Sequence, residues 1–215
     1  QPISIPENVK FFENYWNTKL DPNPGLTVVE IMEAIYNKEI RGLYVMGENP
    51  AMSDPNANHA REALARLDTL IVQDIFLTET AYLADIVLPA SAFPEKTGTF
   101  TNTDRRVQMG RKAVNPPGDA KQDWWIIQEL AKRIGLDWDY NGPDEIYDEL
   151  RNCMDSIKNI SWERLVREDA VTYPCDGDDM PGNEVIFGEG FPTKNKRGKL
   201  VPAKLISPDE VPDKK

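Results

Sequence analysis

The sequence predicts a three-layer α/β sandwich with a mainly parallel sheet and an irregular C-terminal extension. Three short apolar runs, Gly42–Met46, Thr69–Val72 and Ile86–Leu88, predict buried strands. Each run is continuously apolar rather than alternating, which is typical of parallel strands that are covered on both faces. Helical patterns separate the runs, and strands that alternate with helices indicate this fold class.

The first part of the chain predicts an irregular segment and then two helices. Residues 1–25 are rich in proline and predict an irregular N-terminal segment, in which a short helix carries an aromatic cluster. Thr27 and Glu30 have the spacing of a capping box and predict a helix that runs to about Lys38. Residues 57–67 predict a second helix with an apolar face. The aromatic cluster is Phe11, Phe12, Tyr15 and Trp16.

The second half predicts further helices and then an extended end. Residues 122–134 carry an apolar stripe at helical spacing, and Gly135 is a typical helix stop. Further helices are predicted from Asn141 and around Trp162. From Ala170 the chain becomes rich in Pro, Gly and Asp, which predicts an extended strap or linker that is ordered only against a partner domain.

The composition disfavours several classes of protein. Acidic residues exceed basic ones by 36 to 25, a formal net charge of −11, so generic binding to nucleic acid or to an anionic membrane is not expected. No apolar run approaches the roughly 18 residues of a transmembrane segment. The first residues lack the basic and apolar stretches of a secretory signal. The missing initiator methionine and the polar tail suggest a piece of a longer polypeptide.

Cysteine and histidine are scarce, which limits the chemistry that this chain can supply alone. Cys153 and Cys175 lie far apart with no histidine nearby, so we expect no zinc or iron–sulfur site built by this chain. Two cysteines do not make a disulfide framework, and a reducing compartment is expected. The one histidine, His59, is interpreted as a helix-surface residue rather than a catalytic base.

A basic segment interrupts the acidic chain between residues 96 and 112. Glycine and small hydroxyl residues within it would let backbone N–H groups approach an anion, and arginine offers paired donors to phosphate. This pattern indicates a diphosphate or anionic-cofactor site. A solvated hairpin with salt bridges to the acidic remainder explains the same residues. The basic residues are Lys96, Arg105, Arg106, Arg111 and Lys112, against Asp104.

Polar residues follow the predicted strands, where ligands bind in parallel sheets. Gln73 and Asp74 follow the second strand, and the carboxylate could accept hydrogen bonds from a guanine edge or a ribose, or could cap the next helical turn. Gly47–Pro50 follows the first strand, where glycine permits close approach of a ligand, although a tight turn explains it equally. Asp123 opens a later helix as an N-cap or as a second polar anchor.

In their order along the chain, these motifs resemble the molybdopterin oxidoreductase family, and most closely the catalytic alpha subunit of formate dehydrogenases. The resemblance extends from about Pro24 to Tyr173, and its motifs are specific because they occur in one register. The motifs are Gly47–Pro50, Val72–Ala81, Ala84–Pro89, Glu95–Asn102 and Arg105–Gln108.

The resemblance implies a domain organisation and a cofactor. In that family, molybdenum or tungsten is carried on two molybdopterin guanine dinucleotides, each held by a Rossmann-like domain. Residues 26–169 would form one such dinucleotide-binding domain, between the irregular segment 1–25 and a linker, 170–215, toward a missing C-terminal domain. Asp74 would read the guanine or ribose, Lys96 would neutralise phosphate, and Thr78 would add a hydroxyl. The residues implied to face the dinucleotide are Asn49, Gln73, Asp74, Thr78, Lys96 and Asp123.

The resemblance also implies what other regions must supply. The family's metal-ligating cysteine or selenocysteine, with its neighbouring His and Arg, and the 4Fe-4S centre of many members are expected outside this chain. No catalytic or metal-binding residue is therefore predicted here. The predicted role is to hold one dinucleotide within an enzyme that oxidises formate to carbon dioxide. Its expected partners are other domains of the same subunit and iron–sulfur or flavin electron-transfer subunits. The expected location is cytoplasmic, although the family includes periplasmic membrane-associated complexes.

Two alternatives remain open at this stage. The motifs are shared with nitrate reductase-like molybdoenzymes, although Gln73–Thr80 favours formate dehydrogenase. A structural subunit of a respiratory complex could share the fold without the cofactor, but the retained Gln73, Asp74 and Lys96 favour a working site. Surfaces that would contact missing domains, the aromatic cluster among them, are expected to be exposed. The isolated chain is then expected either to self-associate or to show a loose N-terminus and C-terminal strap.

Overall fold

A computed structural model describes residues 2–205 of the chain, and these divide into two compact units. The first unit combines the chain up to Lys96 with Lys112–Tyr140, and the second combines Thr97–Arg111 with the chain from Asn141 onward. The segment boundaries at 26 and 170 stay a prediction, and residues 206–215 of the predicted linker lie outside the described residues.

The first unit contains the parallel sheet. Strands β1, β2 and β3 lie side by side in that order, and both pairs are parallel, which confirms the predicted parallel sheet. The expectation of a buried strand is wrong for β3, where Ile86 and Val87 are exposed, because β3 lies at the edge of the sheet. Two short 3-10 turns, Ala81–Leu83 and Phe93–Glu95, flank β3. In chain order the elements are α1 (Pro6–Tyr15), α2 (Val28–Tyr36), β1 (Gly42–Met46), α3 (Pro50–Ser53), α4 (Ala57–Leu64), β2 (Thr69–Asp74), β3 (Ile86–Pro89) and α5 (Asp123–Arg133).

The ends of the helices follow the local sequence signals. Thr27 caps α2, since its hydroxyl accepts the N–H of Glu30 while the Glu30 carboxylate accepts the N–H of Thr27, so the predicted capping box is confirmed. After α5, Gly135 takes a φ of +88°, a left-handed conformation that favours glycine and ends the helix as predicted.

Helices lie on both faces of the sheet. One core cluster packs Met32 and Ile35 of α2, together with residues of α4, against Val45 and Val72 of the strands. Side chains alternate along a strand, so Gln73 points to the face opposite Val72. The Gln73 side chain contacts the first residue of α5, Asp123, which places the start of that helix on the second face.

The second unit is built on an antiparallel sheet. Strands β4 (Gly98–Thr101) and β5 (Arg106–Gly110) form a hairpin. Helices α6 (Pro143–Asn152) and α7 (Trp162–Glu168) follow, and β6 (Ala170–Thr172) pairs with β5. The expectation that the chain is extended and irregular from Ala170 is therefore wrong for its first residues, because β5 has an open edge that β6 completes. The buried residues of this unit include Val107, Tyr147, Ile160, Leu165 and Val171.

The chain beyond β6 is irregular, as predicted. Between Tyr173 and Leu205 the described chain forms no helix or strand. Two arginines supply donors to its backbone, which otherwise lacks regular partners. Arg105 donates to the carbonyl oxygens of Tyr173, Asn183 and Glu184. Arg164, only 4% exposed, donates to those of Asn159, Gly177 and Met180.

The N-terminal aromatic cluster is exposed only in part. Phe11, Tyr15 and Trp16 are exposed on or just after α1, as predicted. Phe12 is buried instead, and its ring stacks on Trp16 with centroids 4.7 Å apart. The prediction that the whole cluster is exposed is therefore wrong for Phe12, because the side chains of one short helix point in different directions.

Candidate functional site

The candidate site lies at the carboxyl ends of β1 and β2, where α5 begins. Gln73 is fully buried, and its Nε2 donates to Oδ1 of Asp123 at 2.8 Å. Its Oε1 accepts the hydroxyl of Tyr44 on the neighbouring strand. The ammonium group of Lys96 donates to the other carboxylate oxygen of Asp123, Oδ2. Three of the predicted residues, Gln73, Lys96 and Asp123, are thus joined with Tyr44 in one hydrogen-bonded chain.

The strand register and the start of α5 explain how these four side chains come to be hydrogen-bonded. Met46 of β1 lies opposite Gln73, so Tyr44 is near enough on the same face for its long side chain to reach the amide. The N-cap of α5 is Gln122, and Asp123 is the first residue within the helix. The N-cap interpretation of Asp123 is therefore wrong, and its carboxylate is used by Gln73 and Lys96.

The charges around Gln73 determine which groups donate and which accept in these hydrogen bonds. Burial, and secondly the negative charge of Asp123, raise the pKa of the Tyr44 hydroxyl. Tyr44 therefore stays protonated near neutral pH and donates to Gln73, whose amide N–H is left for the carboxylate. The side chains of Lys96 and Asp123 remain 25% and 34% exposed. An ammonium group and a carboxylate are thus presented together at the strand ends, where an approaching anion would meet the ammonium.

Asp74 and Thr78 shape the turn that follows β2. The Oδ1 atom of Asp74 accepts the N–H groups of Ile75 at 2.6 Å and Phe76 at 3.3 Å, which is the capping alternative from the sequence. Both bonds of this cap go to Oδ1 and neither goes to Oδ2. The hydroxyl of Thr78 accepts the N–H of Ala81 at 3.3 Å and supports the next turn. Neither residue joins the Gln73 chain.

Asn49 braces the loop after β1 against the turn after β2. Its Oδ1 accepts both the N–H of Thr80 at 3.1 Å and the hydroxyl of Thr80 at 2.7 Å. Its Nδ2 donates to Glu79 at 2.7 Å, and this bond is the largest cause that lowers the pKa of Glu79. The preceding Gly47 has a φ of +65°, which favours glycine in this turn. A ligand contact of Asn49 stays a prediction.

The structure divides the basic segment between the two units. Lys96 is the member that lies in the candidate site. Arg105 is engaged by backbone carbonyl groups of the second unit. Arg111 donates to Asp169 at 2.6 Å and to the carbonyl oxygen of Val166 at 2.9 Å. The hairpin alternative, with its salt bridges, therefore describes Arg111, whereas Arg105 contacts backbone carbonyl groups instead. An anion contact of Lys96 stays a prediction.

Sequence reasoning missed Tyr44 and Ser91 at this end of the sheet. Tyr44 belongs to an apolar run, and only its register with β2 indicates a polar role. Ser91 follows β3 and is 1% exposed, and its Oγ has no hydrogen-bond partner among the described residues. A serine in a loop after a strand carries no sequence signal of burial, because burial depends on what packs against the loop.

The remaining candidates for chemistry do not belong to the hydrogen-bonded group of Gln73, Asp123 and Lys96. Nε2 of His59, on α4, lies 3.3 Å from a carboxylate oxygen of Glu33. The His59 ring also packs beside that of Tyr36, and Glu33 and Tyr36 both belong to α2. Cys153 and Cys175 are buried free thiols of the second unit. Within residues 2–205 no group of three metal-ligating side chains is found, and no helix is long and apolar enough to cross a membrane.

Comparison with known proteins identifies similar chains. The molybdopterin oxidoreductase family model matches residues 13–133, which include all six predicted cofactor residues. The F420-dependent formate dehydrogenase subunit alpha of Methanocaldococcus jannaschii is 47% identical over 212 residues. The F420-dependent formate dehydrogenase 1 subunit alpha of Methanococcus maripaludis is 39% identical over 212 residues.

The matches cover nearly all of this chain but only part of each relative. Each alignment covers 98% of this chain but 31% of the relative, so the chain spans about a third of the length of these relatives. Among solved structures, the acetylene hydratase from Pelobacter acetylenicus matches with a TM-score of 0.60 and 23% identity, over 90% of this chain and 27% of that chain. This likeness supports the fold alone.

Proposed function

Since this chain belongs to the molybdopterin oxidoreductase family, we propose that it is the part of a formate dehydrogenase alpha subunit that holds one molybdopterin guanine dinucleotide. The observation that carries the proposal is the hydrogen-bonded chain of Gln73, Asp123 and Lys96 at the strand ends. Ligands of parallel sheets bind at this edge. The names of the relatives favour formate as the substrate of the full-length protein.

The donor and acceptor groups present fit the cofactor. Lys96 supplies a partly exposed ammonium for a phosphate oxygen, and Asp123 keeps that ammonium in place. Asp74 offers a second carboxylate oxygen, Oδ2, which the turn cap does not use and which suits the N–H donors of a guanine edge. Gln73, Asn49 and Thr78 would shape the walls around these two contacts.

In the proposed function, the groups that carry out catalysis lie outside this chain. When bound, the cofactor supplies the metal-centred redox chemistry that removes electrons from formate. The residues of this chain orient one dinucleotide and neutralise part of its charge. The catalytic metal ligand, the 4Fe-4S centre and the second dinucleotide site would belong to other parts of the subunit, with iron–sulfur or flavin subunits as electron acceptors. Molybdenum and tungsten both fit this role.

The test is calorimetric titration of the chain with GDP and with ADP, at low and at moderate salt. We expect saturable binding that prefers GDP and weakens as salt rises, because Lys96 contributes through its charge. Asp74→Asn should weaken GDP binding by about tenfold, because an amide replaces the acceptor for guanine while its oxygen preserves the turn cap.

The matched control is Asp137→Asn, an exposed residue in the loop after α5 that removes the same charge from the same unit. It should leave GDP affinity unchanged. Equal affinity for GDP and ADP, or equal loss in Asp74→Asn and Asp137→Asn, would contradict guanine recognition at Asp74. Absence of any nucleotide binding by the wild-type chain would contradict a preformed dinucleotide site.

A further inference from the structure

Ser91 presents an unpaired polar group in a buried position. Its side chain is 1% exposed, and its Oγ has no hydrogen-bond partner within the described residues. Buried hydroxyl groups are nearly always paired, since the loss of water is otherwise uncompensated. The other fully buried polar side chains of this unit, Gln73 and Thr80, are paired. The exception at Ser91 therefore calls for a partner that residues 2–205 do not provide.

The backbone around Ser91 places it among the candidate site residues. The N–H of Ala90 donates to the carbonyl oxygen of Asp74 at 3.0 Å, on the β2 side. The N–H of Ser91 donates to the carbonyl oxygen of Lys121 at 2.8 Å, and the N–H of Lys121 donates to that of Pro89 at 3.1 Å. The segment 89–91 thus prolongs β3 between the end of β2 and the start of α5.

The two flanks of this segment carry the charged groups of the site. Asp123 follows Lys121 closely and is bound by Lys96, which stands just after the 3-10 turn that follows Ser91. A phosphate that meets Lys96 would therefore lie near a loop that already contains a buried donor. Because a hydroxyl donates readily to an anionic oxygen, a diphosphate is the ligand that this hydroxyl suits best.

We infer that the Ser91 hydroxyl is a further ligand contact, a donor to the diphosphate of the bound nucleotide; this inference rests on the proposed function. The unpaired hydroxyl is then a cost of the ligand-free state that binding removes. Ser91 is thereby distinguished from a residue that merely fills the core. Its replacement by alanine affects the ligand-free and ligand-bound states in opposite directions.

The experiment compares wild type with Ser91→Ala, using thermal unfolding without ligand and titration with GDP and with guanosine. Without ligand, Ser91→Ala should raise the Tm by about 2–4 °C, because it removes an unpaired buried hydroxyl. It should weaken GDP binding by roughly three- to tenfold, the loss of one hydrogen bond. Guanosine has no phosphate, so its affinity should stay unchanged.

Ser161→Ala is the matched control, because Ser161 caps α7 in the second unit by accepting the N–H of Arg164 at 3.1 Å. It should lower the Tm and leave GDP affinity unchanged. A Ser91→Ala protein with an unchanged or lower Tm, with unchanged GDP affinity, or with equal losses for GDP and guanosine would overturn the assignment. If wild type binds GDP selectively while Ser91→Ala binds it equally well, only the Ser91 contact fails. If wild type binds no GDP, the proposed function fails with it.

Discussion

Gln73 illustrates how one buried amide can organise charged and uncharged neighbours. It has no exposed surface, and both ends of its amide are hydrogen-bonded, to Tyr44 and to Asp123. A buried amide without partners would cost free energy, so these contacts define which way the side chain points. Asp123 is in turn held at a position where it also binds Lys96. The orientation of Lys96 therefore depends on the amide of Gln73, to which it is linked through the two hydrogen bonds of Asp123.

Tyr147 should make the second unit sensitive to alkaline pH. Burial is the main cause that raises its pKa from 10.0 to about 12, against the opposing charge of Arg151, and its hydroxyl donates to the carbonyl oxygen of Ile160 at 3.0 Å. The folded state thus holds the proton more tightly than the unfolded state. The resulting stabilisation is complete below pH 10 and is lost as pH rises through about 12.

Denaturant unfolding of wild type and Tyr147→Phe between pH 8 and pH 12 measures this effect. At the lower end, Tyr147→Phe should be less stable by about 1 kcal/mol, because the Ile160 carbonyl loses its donor. The difference should shrink as pH rises, since the wild-type phenol ionises in the unfolded state before it does in the folded state, whereas phenylalanine does not ionise. A difference that stays constant across the range would show that the Tyr147 pKa is not raised.

The helix starts and the irregular strap depend on different kinds of hydrogen bond. Helix α2 is capped by residues within one turn, so its start follows from local sequence. The strap after β6 is held by Arg105 and Arg164, whose guanidinium groups contact carbonyl groups far along the chain. An arginine in a basic segment suggests an anion, but a buried backbone carbonyl offers the same kind of acceptor.

Removal of the α2 cap should destabilise the first unit. Thr27→Ala deletes the hydroxyl that accepts the N–H of Glu30, and a loss of about 1 kcal/mol in the free energy of unfolding is expected. The backbone and side-chain hydrogen bonds from Thr27 also lower the pKa of Glu30. Their stabilisation is therefore present above the ordinary glutamate pKa and is lost as pH falls through the lowered one.

Denaturant unfolding at neutral and at acidic pH provides the measurement, with Thr18→Ala as the control at an exposed position outside any helix. Thr18→Ala should be neutral at both values. The deficit of Thr27→Ala should diminish in acid, where the capping carboxylate is protonated. Equal stability of the two variants at neutral pH would mean that the cap adds nothing to the folded state.

The exposed apolar surface matters for the molecule as a whole. Phe76, Tyr82 and Phe93 are each more than 70% exposed in the first unit, and Ile75 and Leu77 are exposed beside Phe76. Soluble monomers rarely display many large aromatic side chains, so such surfaces commonly mark contact sites. The chain spans about a third of its relatives' length, which is consistent with a surface that other parts of a larger protein would cover.

The isolated chain is therefore expected to self-associate as its concentration rises. Sedimentation velocity over a concentration series should show an increasing average mass for wild type, and the double variant Phe76→Ser with Tyr82→Ser should shift this transition to higher concentration. Val185→Ser is the control, since Val185 is 81% exposed but lies in the second unit. A wild-type chain that remains monomeric throughout would contradict the role of these aromatic residues.

Local signals in the sequence determined the three parallel strands, the ends of two helices and the types of residue at the site. The three strands, the Thr27 capping box and the Gly135 stop follow from patterns within a few residues, because apolar runs and helix caps act over one turn or one strand. The parallel order then indicates which strand ends carry Gln73 and Asp74. The resemblance of the motifs adds Lys96 and Asp123 to that edge.

Only the tertiary structure decided which of these residues meet. Gln73 contacts Asp123 across 50 positions of the sequence, and Arg105 contacts the carbonyl oxygen of Glu184 across 79. Such contacts depend on how helices and loops pack on the sheet, and no short pattern encodes them. The burial of Ser91 and the ion pair at Asp123 arise in the same way: each polar group takes the partner that packing leaves within reach, or is left without one.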